Sequence, residues 1–241
     1  MKLKFALKTV AFICSIPFYS NAATIGLFGT YGHDYGNELQ DLGNTVLDFN
    51  SLPITAENLE GLDTVVLLRN TSSSDALTSW IYNGGTLITE WDSANYAGQL
   101  IGANIQSNYS TALTDDSIVF TETAKSLGLT TNIGNSYSAY GGSEYFQDFL
   151  NTGSGTILAY RGSNSNIAIL GGAYGTGSVY INGYDWADSS FNQTAQLLNA
   201  ESNISIAAVP EPETYAMLAI GLIALASKSR FKKNNSSFAI A

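Results

Sequence analysis

The residues with chemistry to offer lie just after apolar runs: Tyr31, His33 and Asp34 after the first, Glu90, Trp91, Asp92 and Asn95 after a later one, and Tyr184, Asp185, Trp186 and Asp188 near the end of the last long one. If those runs are neighbouring strands of an open α/β sheet, the residues after them converge on one crevice, where such folds bind ligands. Carboxylate and amide oxygens there, from Asp92, Asp185 and Asp188, would suit Ca2+, and Trp and Tyr faces beside Asp and Asn suit a carbohydrate. The plainer alternative is that Asp and Asn make turns at strand ends and that the tryptophans cover a core. No other cofactor is suggested.

Catalytic readings are weaker. A hydrolase using Glu90 and Asp185 as paired carboxylates needs them roughly 5 to 10 Å apart in a cleft. Ser93 as a nucleophile needs a base, and the one histidine of the chain, His33, is distant in sequence. Gly29-Thr-Tyr-Gly32 has neither the spacing nor the lysine of a phosphate loop.

The elements that must position these residues alternate. Thr24 to Phe28 is an apolar strand, Asn37 to Leu42 a short helix closed by Gly43, and Thr45 to Phe49 a second strand. Thr55 to Leu62 reads as a helical turn capped by Thr55, Asp63 to Leu68 as an almost unbroken β run, Asp75 to Tyr82 as a helix, and Thr86 to Trp91 as a fourth strand. Unbroken apolar strands belong in a sheet covered on both faces. The alternation predicts an α/β fold with a mostly parallel sheet, helices on both faces and right-handed crossovers. Residues 94–101 read as a helix. From 103 to 151 the chain is polar, with a brief strand at 118–120 and a helix at 143–150. Strands at 156–160, 167–170 and 178–181, joined by Gly- and Asn-rich turns, predict an antiparallel extension, and a helix at 191–198 closes a domain spanning 23–199, with 200–208 as a linker.

The two ends carry targeting chemistry. Lys2, Lys4 and Lys8, an apolar stretch to Phe18 and the small residues Ser20 and Ala22 predict a signal peptide over 1–22, cut by signal peptidase after Ala22. Cys14, the only cysteine, leaves with it, so disulfides, thiolate nucleophiles and cysteine-held metals are excluded from the body. Seven of the ten Lys and Arg residues lie in the two ends; the body keeps Arg69, Lys125 and Arg161 against eighteen acids, a net charge of −15. Nucleic acid is therefore not a partner, because phosphate affinity comes from Lys and Arg. The charge suits solubility outside the cell.

Near the other end, Val209-Pro210-Glu211-Pro212-Glu213 precedes an uncharged run from Thr214 and then Lys228, Arg230, Lys232 and Lys233. Two prolines a residue apart fix φ and remove two N–H groups, giving an extended, protease-accessible strip. The apolar run, counted from 214 to 231 with snorkelling basic ends, approaches the roughly 20 residues of a single transmembrane helix, with its basic end on the cytoplasmic side. Residues 209–233 resemble the PEP-CTERM sorting signal (motif 209–213 with Pro210, Glu211 and Pro212, span 214–231, basic cluster 228–233), leaving 234–241 as a tail.

This resemblance implies an exported protein recognised and processed by an exosortase, passing through the inner membrane to the cell surface or an extracellular polysaccharide matrix, as in exopolysaccharide-producing biofilms. The body resembles the class I glutamine amidotransferase-like, flavodoxin-like architecture, whose enzymes place a cysteine on a sharp turn after a central strand, with a downstream histidine and acid. Glu90-Trp-Asp-Ser-Ala-Asn95, in the corresponding place, has no cysteine, and no histidine follows His33. The expectation is a non-catalytic, ligand-binding domain; the alternatives are a secreted carboxylate-dependent hydrolase acting on polysaccharide and a passive structural matrix protein.

Overall fold

A computed structural model describes residues 22–29, 32–69, 74–112, 117–138, 144–161, 166–187 and 193–206, except for the side chains within 106–112, 137–138 and 144–148. The signal-peptide expectation up to residue 21, Tyr31, Asp188, and the sorting, transmembrane and tail segments lie outside these residues. Among the described residues no helix is long and apolar enough to cross a membrane.

The first half follows the sequence closely. β1 (Thr24–Phe28) leads to α1 (Gly36–Asp41), then β2 (Thr45–Asp48), β3 (Thr64–Leu67), α2 (Asp75–Tyr82), β4 (Thr86–Thr89) and α3 (Ala94–Leu100). Gly43 takes the left-handed φ of 95° expected just past α1. Ser74 caps α2 by accepting a hydrogen bond from Leu77 N at 3.1 Å. Thr55 accepts one from Asn58 N at 3.2 Å, but the chain from 55 to 61 stays a series of turns rather than a helix.

Five strands lie parallel in the order β2-β1-β3-β4-β11, where β11 is Gly177–Asn182. This is the flavodoxin-like order with the last strand supplied from late in the chain. Beyond β11 the sheet continues antiparallel through β10 (Asn166–Tyr174), β9 (Thr156–Arg161), β6 (Ser117–Phe120) and β7 (Ser136–Ser138). The nine-stranded sheet is thus mixed rather than mostly parallel, because its eight pairings divide four and four. Gly177 makes the insertion of β11 feasible: a Cβ there would collide with the carbonyl oxygens of Ile81 and Gly85.

Helices cover both faces, as expected. Strand residues alternate between two cores: Ile25, Leu27, Val66, Ile88 and Tyr180 meet Leu39 of α1, Ala124 of α4 (Glu122–Leu127) and Leu197 and Leu198 of α5 (Thr194–Asn203). Val65, Leu67, Leu87, Val179 and Ile181 meet Leu77 and Ile81 of α2 and Ala94 and Ala97 of α3. Each such side chain taken fully out of water contributes about 1.5–3 kcal/mol.

Three further differences separate the fold from the sequence reading. Residues 143–150 do not form a helix: β8 (Glu144–Phe149) is a strand, paired antiparallel with β5 (Ile105–Ala112) in a separate two-stranded sheet. Its aromatic content favours a strand once a partner exists, and that partner lies more than thirty residues away, beyond the reach of a local pattern. Helix α4 has no counterpart among the sequence expectations, although Thr121 accepts from Ala124 N at 3.3 Å and Gly128 ends the helix at φ 88°. The body also does not stop at 199, because α5 runs to Asn203, Tyr180 OH donates to Ile204 O at 2.7 Å, and Ile206 N donates to Ser178 Oγ at 2.8 Å.

Candidate functional site

Register aligns Phe28, Leu67, Thr89 and Ile181 across β1, β3, β4 and β11. The residues that follow them therefore meet at one edge, as the sequence implied. Trp91 N donates to Tyr184 O at 3.3 Å, tying the ends of β4 and β11. His33 N donates to Ala187 O at 2.7 Å, drawing in the loop after β1.

The centre of this edge is a buried ion cluster. Arg69, just past β3, donates from Nη2 to Glu90 Oε1 at 3.0 Å and from Nε to Oε2 at 3.4 Å, and its Nη2 also contacts Asp185 Oδ1. Exposure is 6% for Arg69, 0% for Glu90 and 1% for Asp185, so all three are removed from solvent. Burial, together with the hydrogen bond and charge of Asp185, pushes the Glu90 carboxyl up to about 9 against the pull of Arg69. At neutral pH Glu90 is thus protonated, which relieves the like-charge repulsion between two carboxyls on one guanidinium. The Arg69 guanidinium also lies 4.5 Å from the centroid of the Trp91 ring, a cation–π contact.

This arrangement assigns roles differently from the sequence reading. Glu90 and Asp185 meet as expected, but they are sealed and share one arginine. A paired-carboxylate hydrolase needs an open cleft with room for its bond between the acids. Asp185 cannot serve Ca2+ without leaving Arg69, and among the described residues no group of three His, Asp or Glu could hold a metal. Trp186 is core: it is 0% exposed and its Nε1 donates to Thr89 O at 3.3 Å. Tyr184 is equally buried.

Asp34 is a turn-maker, accepting from Gly36 N at 3.0 Å and Asn50 Nδ2 at 3.1 Å. His33 is exposed and bonds Glu38 at 2.7 Å. Ser93 Oγ donates to Leu68 O at 2.9 Å and is buried. Trp91, Asp92 and Asn95 stay partly exposed at the same edge.

Arg69 is the residue of this edge that the sequence reading passed over. The signal was present: it is one of three cations in the body and follows the β run from Asp63 to Leu68, so it had to emerge at the strand ends.

The fold is shared with solved structures and is consistent with an amidotransferase-like architecture. The chain resembles a cytoplasmic protein of Salmonella typhimurium at TM-score 0.56 and 10% identity, over 76% of this chain and 99% of that one. A GMP synthase protein from Thermoplasma acidophilum matches at TM-score 0.52 and 11% identity, over 76% and 94%. A β-galactosidase from Rahnella sp. R3 matches at TM-score 0.50 and 16% identity, over 75% of this chain but 30% of that one. At these identities the likeness concerns the fold alone.

Residues 208–230 match the PEP-CTERM protein-sorting motif. The chain is therefore an exported protein that crosses a membrane in transit and bears the signal an exosortase processes. No curated protein matches it.

Proposed function

We propose that this is an exosortase-sorted protein of the cell surface or extracellular polysaccharide matrix, with a body that binds a ligand and does not convert it. The observation that carries this reading is the state of the turn after β4. There, where amidotransferase-like enzymes carry their nucleophile, Glu90 is sealed against Arg69 and Asp185, and Ser93 is bonded to Leu68 O. The groups that keep some exposure at that edge, Trp91, Asp92, Asn95 and His33, bring aromatic, carboxylate, amide and imidazole chemistry there but no nucleophile bonded to a base.

The test uses the full chain with polysaccharide extracted from the native host's matrix. Co-sedimentation with the polysaccharide, with no new reducing ends after prolonged incubation, is the expected result. Release of reducing ends that stops on Glu90→Gln would restore the hydrolase alternative. Failure to bind, together with loss of matrix cohesion in a deletion strain, would support a passive structural role.

A further inference from the structure

The opposite edge of the sheet carries a feature unrelated to the ion cluster. Three grooves open there, of about 770, 380 and 550 Å3, and each shares lining residues with the next. The first lies between α5 and the loop after α4 and shares Asp63, Ser202 and Asn203 with the second. The second shares Trp80 and Asn83 with the third, which rises between α2 and the turns at 56–60. Together they form one trough along the amino ends of the parallel strands and up the outer side of α2.

The lining says what would lie in it. Trp80 is partly exposed at the junction of two grooves, its ring resting on Gly85, where a Cβ would enter the ring. The two grooves that share it are also lined by amides, hydroxyls and acids: Asn203, Asn83, Ser79, Asp63 and Glu60. Gln196, in the first groove, has a buried Oε1 without a hydrogen-bond partner among the described residues, an acceptor suited to an internal water. An aromatic platform flanked by amide and carboxylate hydrogen-bonding groups fits the apolar face and equatorial hydroxyls of a sugar ring.

Charge narrows the class. None of the three grooves is lined by Lys or Arg. Arg69 and Arg161 are buried and Lys125 pairs with Glu122 at 2.6 Å. A polyanion would find only acids there. An extended peptide would need an open strand edge for main-chain bonds, but the sheet's edges are β2 and β7, and neither lines the trough. We infer that the amino-edge trough is a binding site for a linear neutral polysaccharide, with Trp80 stacking on one sugar ring and the side-chain oxygens of Asn83 and Asn203, whose Nδ2 groups are held by Ser79 O and Asn199 O at 2.8 Å, accepting from hydroxyls.

The inference rests on the binding reading above only in requiring that the body bind; it places the glycan at the edge away from Trp91. The full chain, purified in mild detergent, is titrated calorimetrically with cellohexaose, laminarihexaose and chitohexaose, and with hexagalacturonate as the anionic control. At least one neutral hexamer binds and the anionic one does not. Trp80→Ala weakens that binding about tenfold, the range of a lost aromatic stacking partner.

Because Trp80→Ala removes packing on Gly85, two exposed changes act beside it. Ser79→Arg fills the trough and abolishes binding with an unchanged melting temperature, and Asn83→Ala, which also removes the bond to Ser79 O at 2.8 Å, weakens it several-fold. Flat titrations with all three neutral hexamers overturn the inference, as does affinity unchanged in Ser79→Arg. Binding lost in Trp91→Ala but kept in Ser79→Arg also overturns it while sparing the proposed function, and turnover of a hexamer overturns that function instead.

Discussion

Arg69 grips Glu90 side-on, Nη2 to Oε1 at 3.0 Å and Nε to Oε2 at 3.4 Å, where neither side chain meets water. Two carboxyls and one guanidinium in such a place would leave a net charge buried. With Glu90 protonated, the cluster becomes a neutral Arg69–Asp185 pair with a neutral acid bonded to it. Arg69 and Asp185 are 116 residues apart in the chain, so the cluster clamps β3, β4 and β11 at their carboxyl ends.

Removing the cation while leaving the acids should be severe. Arg69→Met strands Asp185 without its guanidinium, and breaking a buried pair from one side costs about 3–5 kcal/mol. Urea unfolding of the variant reads this directly. Arg69→Lys should also lose stability, since an ammonium cannot copy the fork that serves Glu90 through two nitrogens. A wild-type midpoint in Arg69→Met would show that the cluster does not clamp the strands.

A second buried acid gives a pH signature. Burial raises Glu201 to about 8, with the hydrogen bond from Asn182 Nδ2 at 3.0 Å pulling the other way. The folded state keeps a proton that the unfolded chain releases above its ordinary value near 4.5. The contribution is therefore complete below about pH 4.5 and is lost as the pH rises towards 8. Melting curves from pH 4 to 9 should show wild type losing stability over that window relative to Glu201→Gln, which carries no titrating proton. Parallel curves for the two proteins would contradict a buried neutral Glu201.

Trp186 separates a core role from a binding role. Its ring packs 5.8 Å from that of Tyr35, whose OH donates to Trp186 O at 3.3 Å, and it is wholly buried. Trp186→Ala should cost about 3–5 kcal/mol through the cavity left behind. Trp186→Phe should recover much of that loss and bind any ligand of the folded protein as wild type does. Denaturation of both variants gives the comparison.

These residues also show what the chain reveals before folding. The strands from 24 to 89 and helix α2 were legible because unbroken apolar runs and helical spacing are local signals, and the convergence of Glu90 with Asp185 followed from the rule for strand ends. What the sequence could not give was pairing partners. β8 is a strand because β5 lies beside it, and β11 enters the sheet because Gly177 lets it pass Ile81 and Gly85. Trp91 and Trp186 look alike in the sequence, each beside an aspartate after an apolar run. Only the packing of Thr89 and Tyr35 around one of them makes it core.

Gly32 tests the join between the loop after β1 and the end of β11. Its φ is 67°, and a Cβ would collide with the Ala187 carbonyl that accepts from His33 N. Gly32→Ala therefore combines left-handed strain with a backbone clash, at a cost of about 1–3 kcal/mol. Thermal unfolding should show a clear loss. Gly43→Ala, also at positive φ but with open space around it, should lose less, and equal losses would mean that strain alone accounts for both.

The sorting motif gives the last prediction. Pro210, Glu211 and Pro212 fall within the matched residues 208–230, and among the described residues the body's contacts through Ile204 O and Ile206 N come before them. A cut at or after the motif spares every one of those contacts, so processing should leave the body folded. Intact mass of the protein from its native host should show a chain shortened from the carboxyl side. A host lacking exosortase, or the Pro210→Ala/Glu211→Ala/Pro212→Ala variant, should yield the unshortened chain. A full-length tail in every strain would mean that the motif anchors the protein without being cut, and the ligand-binding body would then work at the membrane surface.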